Sequence, residues 1–163
     1  MCQSRCVIND MSEWRRALMR LPIVRAGQWA VSGSAALALH GLAVEPNDLD
    51  LVADPVAAME LVDGLGDLVC QDESPWNRGD VRADRRALAV VEGINVEILV
   101  GVEAVALGAR VLGSPDLKHL DYIVIQDRQI PTLPLATMLA LLDATGKRER
   151  ATMVREAMAG QGS

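Results

Sequence analysis

Asp48, Leu49, Asp50 and Leu51 alternate charge with apolar bulk at a period of two, and only an extended strand puts residues i and i+2 on one face. The strand this implies buries its leucines and carries two carboxylates side by side on the other face. Such an element needs a core on one side and something that tolerates paired negative charge on the other.

The neighbouring segments read as short strands and helices in alternation. Asp10 or Ser12 is placed to cap a first helix running to about Arg20. QWAVSG reads as a short buried strand, and SAALALHG as a compact helix ended by Gly41. DLDLVAD follows as the second strand, with Pro55 as the first residue of a helix toward Leu65. DLVCQ is a short strand and DESPWNRGD a loop. RALAVVEGINVEILVG is a hairpin turning near Glu92 to Asn95. A connecting segment containing LGSPD leads to two strands around Gln126 to Arg128, and the C-terminus reads as two helices broken at Gly146. The expected fold class is α/β or α+β, a mixed β-sheet flanked by helices. With 163 residues the chain is expected to form one domain, its core spanning about 28–131 and a C-terminal helical segment about 134–159.

Composition narrows the function classes. Half of the residues are apolar, which opposes disorder. A net charge of −6 argues against general nucleic-acid binding, and three Trp, one Tyr and no Phe leave little for a base-stacking platform. Cys2, Cys6 and Cys70 have neither zinc-finger spacing nor an even count, so a reducing cytoplasmic setting is expected. The uncharged stretch Trp29 to Val44 is too short for a comfortable membrane span and carries His40 and two glycines, and no membrane partner is expected.

Two adjacent carboxylates repel, and a divalent ion between them removes the conflict. An all-oxygen donor set suits Mg²⁺, which shares its remaining positions with substrate phosphates. Asp48 as a loop residue and Asp50 at a solvated strand edge is the alternative. Upstream, Gly33 and Ser34 lie between a strand and a helix, where glycine admits a ligand close to the backbone and free amides favour phosphate; Ser32 or Ser34 as a plain N-cap is the alternative there. Glu97 stands in the apolar strand INVEILVG, with Val96, Ile98 and Val100 on the opposite face. An ionised carboxylate in that setting needs a metal or a partner, and Arg82, Arg85 and Arg86 are the candidate partners.

Taken together, Gly33-Ser34, the Asp48/Asp50 pair and Glu97 resemble the nucleotidyltransferase superfamily related to DNA polymerase β, in its small one-domain form. The similarity covers roughly residues 28–158 and includes a proline-led helix followed by a Gly-Lys turn and a basic helix. It implies a nucleotidyltransferase-like fold and Mg²⁺, in a two-metal site, held by Asp48, Asp50 and Glu97. It also implies a nucleoside triphosphate (NTP) as substrate, Glu97 helping to activate an acceptor hydroxyl, and Lys147 or Arg148 gripping the triphosphate. Glu97 replaces the aspartate many relatives carry, and Glu45-Pro46-Asn47 replaces their small or basic residue before the pair.

The acceptor is left open among a small molecule, an RNA end and a protein side chain, with a homodimer or protein partner completing the site. The competing reading is a catalytically silent nucleotide- or partner-binding regulatory module, as in toxin and antitoxin systems. Other residues read more plainly. Gly146 to Arg150 equally suits a solvated helix surface; Trp76 and Arg78, in the loop SPWNRGD, could touch a base or acceptor, although Trp76 reads more plainly as covering a core edge; and His40 is a satisfied boundary histidine.

Overall fold

The computed structural model describes residues 11–161, so the candidate cap Asp10, like Cys2 and Cys6, lies outside the described residues. Helix α1 (Glu13–Met19) leads to β1 (Trp29–Ser32), α2 (Gly33–Leu39), β2 (Asp48–Ala53) and α3 (Pro55–Leu65). A single 3₁₀ turn, Gly66–Leu68, precedes β3 (Val69–Glu73), β4 (Trp76–Asn77), β5 (Val81–Ala83), β6 (Arg85–Val91) and β7 (Ile94–Val100). Strands β8 (Glu103–Ala106), β9 (Ala109–Leu112), β10 (Asp121–Ile125) and β11 (Arg128–Thr132) follow, then α4 (Leu135–Ala144) and α5 (Arg148–Gln161). The architecture is α+β with a mixed sheet, and no helix among the described residues is long and apolar enough to cross a membrane.

Seven strands form the main sheet in the order β10-β11-β1-β2-β7-β6-β3. β1 pairs antiparallel with β2 and parallel with β11, while β2 runs parallel to β7. The crossover from β2 to β7 carries α3, the helical connection that parallel pairing requires. Leu49, Leu51, Val96 and Ile98 are almost fully buried, as their alternation demands, in one core that also takes Trp14 and Leu18 of α1 and Leu61 of α3. The β6–β7 hairpin closes on Glu92 and Gly93, both at positive φ, the conformation that matches strand twist in a two-residue turn.

Two expectations are corrected. The segment DESPWNRGD is no plain loop: β4 lies inside it and joins β5, β8 and β9 in a second, four-stranded antiparallel sheet. The segment after Gly101, expected as a connection, holds the β8–β9 hairpin, turning at Leu107 and Gly108. These strands are two to four residues long, too short for a period-two pattern to rise above background. They form two short local ribbons, β4–β5 and β8–β9, joined into one sheet by the pairing of β5 with β8.

Asp54, directly after β2, fixes the start of α3. Its Oδ1 accepts from the Ala57 amide at 2.8 Å, and its Oδ2 from the Gln28 amide at 2.7 Å, just before β1. One carboxylate thus caps a helix and ties it to the neighbouring strand. Replacing Asp54 by Ala is expected to cost about 1–3 kcal/mol, read as a lower urea midpoint with an unchanged m-value.

Candidate functional site

The two central strand pairings bring Ser32, Asp50 and Glu97 to one level of the sheet: Ser32 is in register with Asp50, and Asp50 with Glu97. The parity read from the sequence holds, since Asp48 is exposed and Asp50 half-buried while the leucines between and after them are fully buried. All three carboxylates line a cavity of about 550 Å³, with Gly33 and Ser34 on its rim at the start of α2. Gly33 has φ +62°, and a Cβ there would collide with Asp50 Oδ2. Only glycine lets the β1–α2 turn pass so close to the acidic strand. The Ser32 hydroxyl turns instead to the Met138 sulfur, 3.8 Å away, and α2 has no side-chain cap.

Asp50 is electrostatically unbalanced. Burial, then the negative charges of Asp48 and Glu97, push its pKa up to about 6, and Lys147 and Arg78 only partly offset them. Lys147, in the turn between α4 and α5, therefore reaches the site as expected. Arg148 is not among the cavity-lining residues, and Arg150 is. Lys147 lies in the turn just before α5 and Arg150 in the first turn of that helix, so the two cations enter the cavity from the same junction.

Glu97 has a partner inside the protein. Arg86 Nε donates to Glu97 Oε2 at 2.7 Å, with both side chains largely buried, and Arg86 Nη1 donates to Gln71 Oε1 at 3.0 Å. The Arg86 guanidinium lies 5.3 Å from the centre of the Trp76 ring, and that of Arg78 lies 5.9 Å from it. Trp76 packs against the core edge, as its sequence context suggested. With one Glu97 oxygen held by arginine, no group of three His, Cys, Asp or Glu side chains stands assembled for a metal among the described residues. His40 is satisfied, its Nε2 lying 2.9 Å from the Leu133 carbonyl oxygen.

Arg78, which the sequence offered only as a loop residue within reach of a base or acceptor, and Arg150, one of the cations of Gly146 to Arg150, both line the cleft, and Arg86 entered only as one of three partners for Glu97. The hairpin supplies a signal for Arg86. A turn at Glu92-Gly93 puts Leu88 opposite Glu97, so Arg86 falls diagonally across from Glu97 on the same face and Arg85 on the other. Arg85 accordingly pairs with Asp72 instead.

No protein-family model matches the sequence, and comparison with curated proteins finds no significant match. Among solved structures, a candidate nucleotidyltransferase from Thermotoga maritima, TM1012, superposes with a TM-score of 0.67 at 21% identity, covering 91% of this chain and 89% of its own. ANT(2″)-Ia in complex with adenylyl-2″-tobramycin overlaps more loosely, with a TM-score of 0.46 at 14% identity over 83% of this chain and 82% of its own. At such identities the likeness is one of fold, and the fold of this chain is the nucleotidyltransferase fold that the resemblance in its sequence implied.

Proposed function

We propose that the chain is an Mg²⁺-dependent nucleotidyltransferase that moves a nucleoside monophosphate from an NTP to an acceptor hydroxyl. The observation that carries this reading is Asp50, wedged in register beside Glu97 and against the backbone of Gly33, with more negative charge around it than its neighbours neutralise. Crowded carboxylate oxygens of this kind are the donor set that Mg²⁺ takes. Asp48 and Asp50 would hold the ion, with Glu97 as the third carboxylate. When bound, the metal neutralises phosphate charge and makes a nearby hydroxyl more acidic.

The protein's own residues mainly position reactants. The Gly33 turn admits the triphosphate close to the backbone, and Lys147 and Arg150 balance its charge from the α4–α5 side. Glu97, steadied by Arg86, faces the acceptor and receives its proton. The acceptor oxygen forms a bond to the α-phosphorus, the bond from that phosphorus to the bridging oxygen breaks, and pyrophosphate leaves with the electron pair. A second reading, a nucleotide-binding regulatory module without turnover, is favoured by one observation: Arg86 already neutralises Glu97 without any metal.

Binding separates a working metal site from an ornamental one. Asp48→Asn and Asp50→Asn are each expected to lower Mg²⁺-dependent NTP affinity at least tenfold by calorimetry, and to abolish pyrophosphate release, with the fold intact by circular dichroism. Nucleotide binding that survives both substitutions, with no turnover in the parent protein, would favour the module.

Asp50 also predicts a pH signature in metal-free buffer. Its folded pKa, about 6, lies above its ordinary 3.8. The stability contributed by its protonated form is therefore complete below about pH 4 and lost as pH rises through about 6. Asp50→Asn keeps the side chain neutral, so it is expected to stabilise the metal-free fold by on the order of 2–3 kcal/mol at pH 7 and not at pH 3.5. Urea titrations at the two pH values measure the difference. Mg²⁺ is expected to raise the midpoint of the parent protein and leave that of the variant unchanged.

A further inference from the structure

The cavity has two chemically different flanks, set by the strand order. Along the sheet, β1 ends at the Gly33 turn, β2 carries Asp50, β7 carries Glu97 and β6 carries Arg86. Helix α4 joins the Gly33 side, through the Ser32 to Met138 contact, and brings the Lys147 turn with it. Trp76, Arg78 and Arg86 belong to the opposite side, beyond Glu97. A triphosphate lying between Gly33 and Lys147 leaves the Glu97 side for the acceptor.

The charged lining consists of Asp48, Asp50 and Glu97 against Arg78, Arg86, Lys147 and Arg150. Arg86 is committed to Glu97. Two carboxylates belong to the proposed metal site, and two cations to the triphosphate. Arg78 is the lining cation left over, and no lining carboxylate is left over. Its one ion-pair partner, Asp80, is 3.6 Å away, with both side chains more than half exposed, a loose pair that contributes little. Trp76 lies beneath the Arg78 guanidinium, and the Arg78 amide donates to the Val81 carbonyl at 2.9 Å across the hairpin turn. The guanidinium is thus mounted on a folded hairpin, and its charge is felt at Asp50.

We propose that the wall formed by Arg78 and Arg86, both stacked against the Trp76 ring, is the acceptor subsite and that it takes a small hydroxyl compound bearing a phosphate group. This rests on the transferase reading of the same cavity. A planar guanidinium matches phosphate oxygens with paired N–H groups and keeps its charge at any physiological pH. A polycationic acceptor would meet Arg78, Lys147 and Arg150 with no carboxylate to receive it, and like charges brought together at an interface cost several kcal/mol. The net charge of −6 turns away long polyanions while leaving a small phosphate ester free to enter a locally basic wall.

A fractionation experiment tests the subsite without the acceptor being identified first. The full chain, with Mg²⁺ and α-labelled NTPs, is incubated with small-molecule extract separated on anion and cation exchangers, with an oligoribonucleotide, and with the macromolecular fraction. Label transfer is expected with the anion-exchanger fraction, and phosphatase pretreatment of that fraction should remove it. Arg78→Ala should raise the acceptor KM at least tenfold and change the NTP KM less than twofold, with Arg78→Lys recovering part of the loss. Transfer with the cation-exchanger or unretained fraction, with the oligonucleotide or with protein overturns the assignment, as does survival after phosphatase or an unchanged acceptor KM in Arg78→Ala. Transfer with no fraction overturns the transferase reading itself, and the assignment with it.

Discussion

The pairing of β2 between β1 and β7 is the constraint on which the rest depends. Leu49 and Leu51 are driven into the core because exposing them would forfeit about 1.5–3 kcal/mol each, and the two-residue period of a strand then leaves Asp48 and Asp50 no other face. A one-residue slip would bury both carboxylates and expose both leucines. Register is therefore held by the core, and the same register sets Asp50 beside Glu97 and beneath the Gly33 turn. Burial of apolar side chains is in this way what gathers the negative charge.

That charge is uncomfortable where it sits. The fold relieves it unevenly: Glu97 receives a short, largely buried ion pair with Arg86, while Asp50 has only the more distant fields of Lys147 and Arg78. A fold selected for stability alone would gain by neutralising Asp50, and under the proposed reading this half-buried, under-compensated carboxylate is where a cation would bind. The contrast also separates the three carboxylates: Glu97 is held in a short ion pair, whereas neither Asp48 nor Asp50 has one among the described residues.

The small second sheet gives the cavity its other wall. The turn after β4 presents Arg78 toward the carboxylates, its guanidinium against the Trp76 ring of β4, and β8 and β9 buttress α4 from outside the main sheet. Without it, the acidic strand would open onto solvent on the Glu97 side. The basic character of that wall, set against an acidic protein overall, is a local choice that net charge conceals.

Much was legible in the chain because it rested on short-range physics. Alternation defined β2 and β7, Pro55 and Gly146 marked helix boundaries, and parity put Asp48, Asp50 and Glu97 on the faces of their strands opposite the buried Leu49, Leu51, Val96 and Ile98. The β4, β5, β8 and β9 strands were not legible, since segments of two to four residues are too short to show a pattern of their own and the two short hairpins are joined only by the β5–β8 pairing across the chain. Which cation of Gly146 to Arg150 faces the cavity was not legible either: a helix start one residue earlier or later rotates each side chain by about 100°, following from 3.6 residues per turn. Sequence by itself thus determined which residues carry the carboxylates and which faces they occupy, because those follow from periodicity. Only the tertiary structure decided which cations meet them, that Glu97 is held by Arg86, and how the flanks of the cavity differ in charge, because these depend on distances between strands that the chain specifies only by folding.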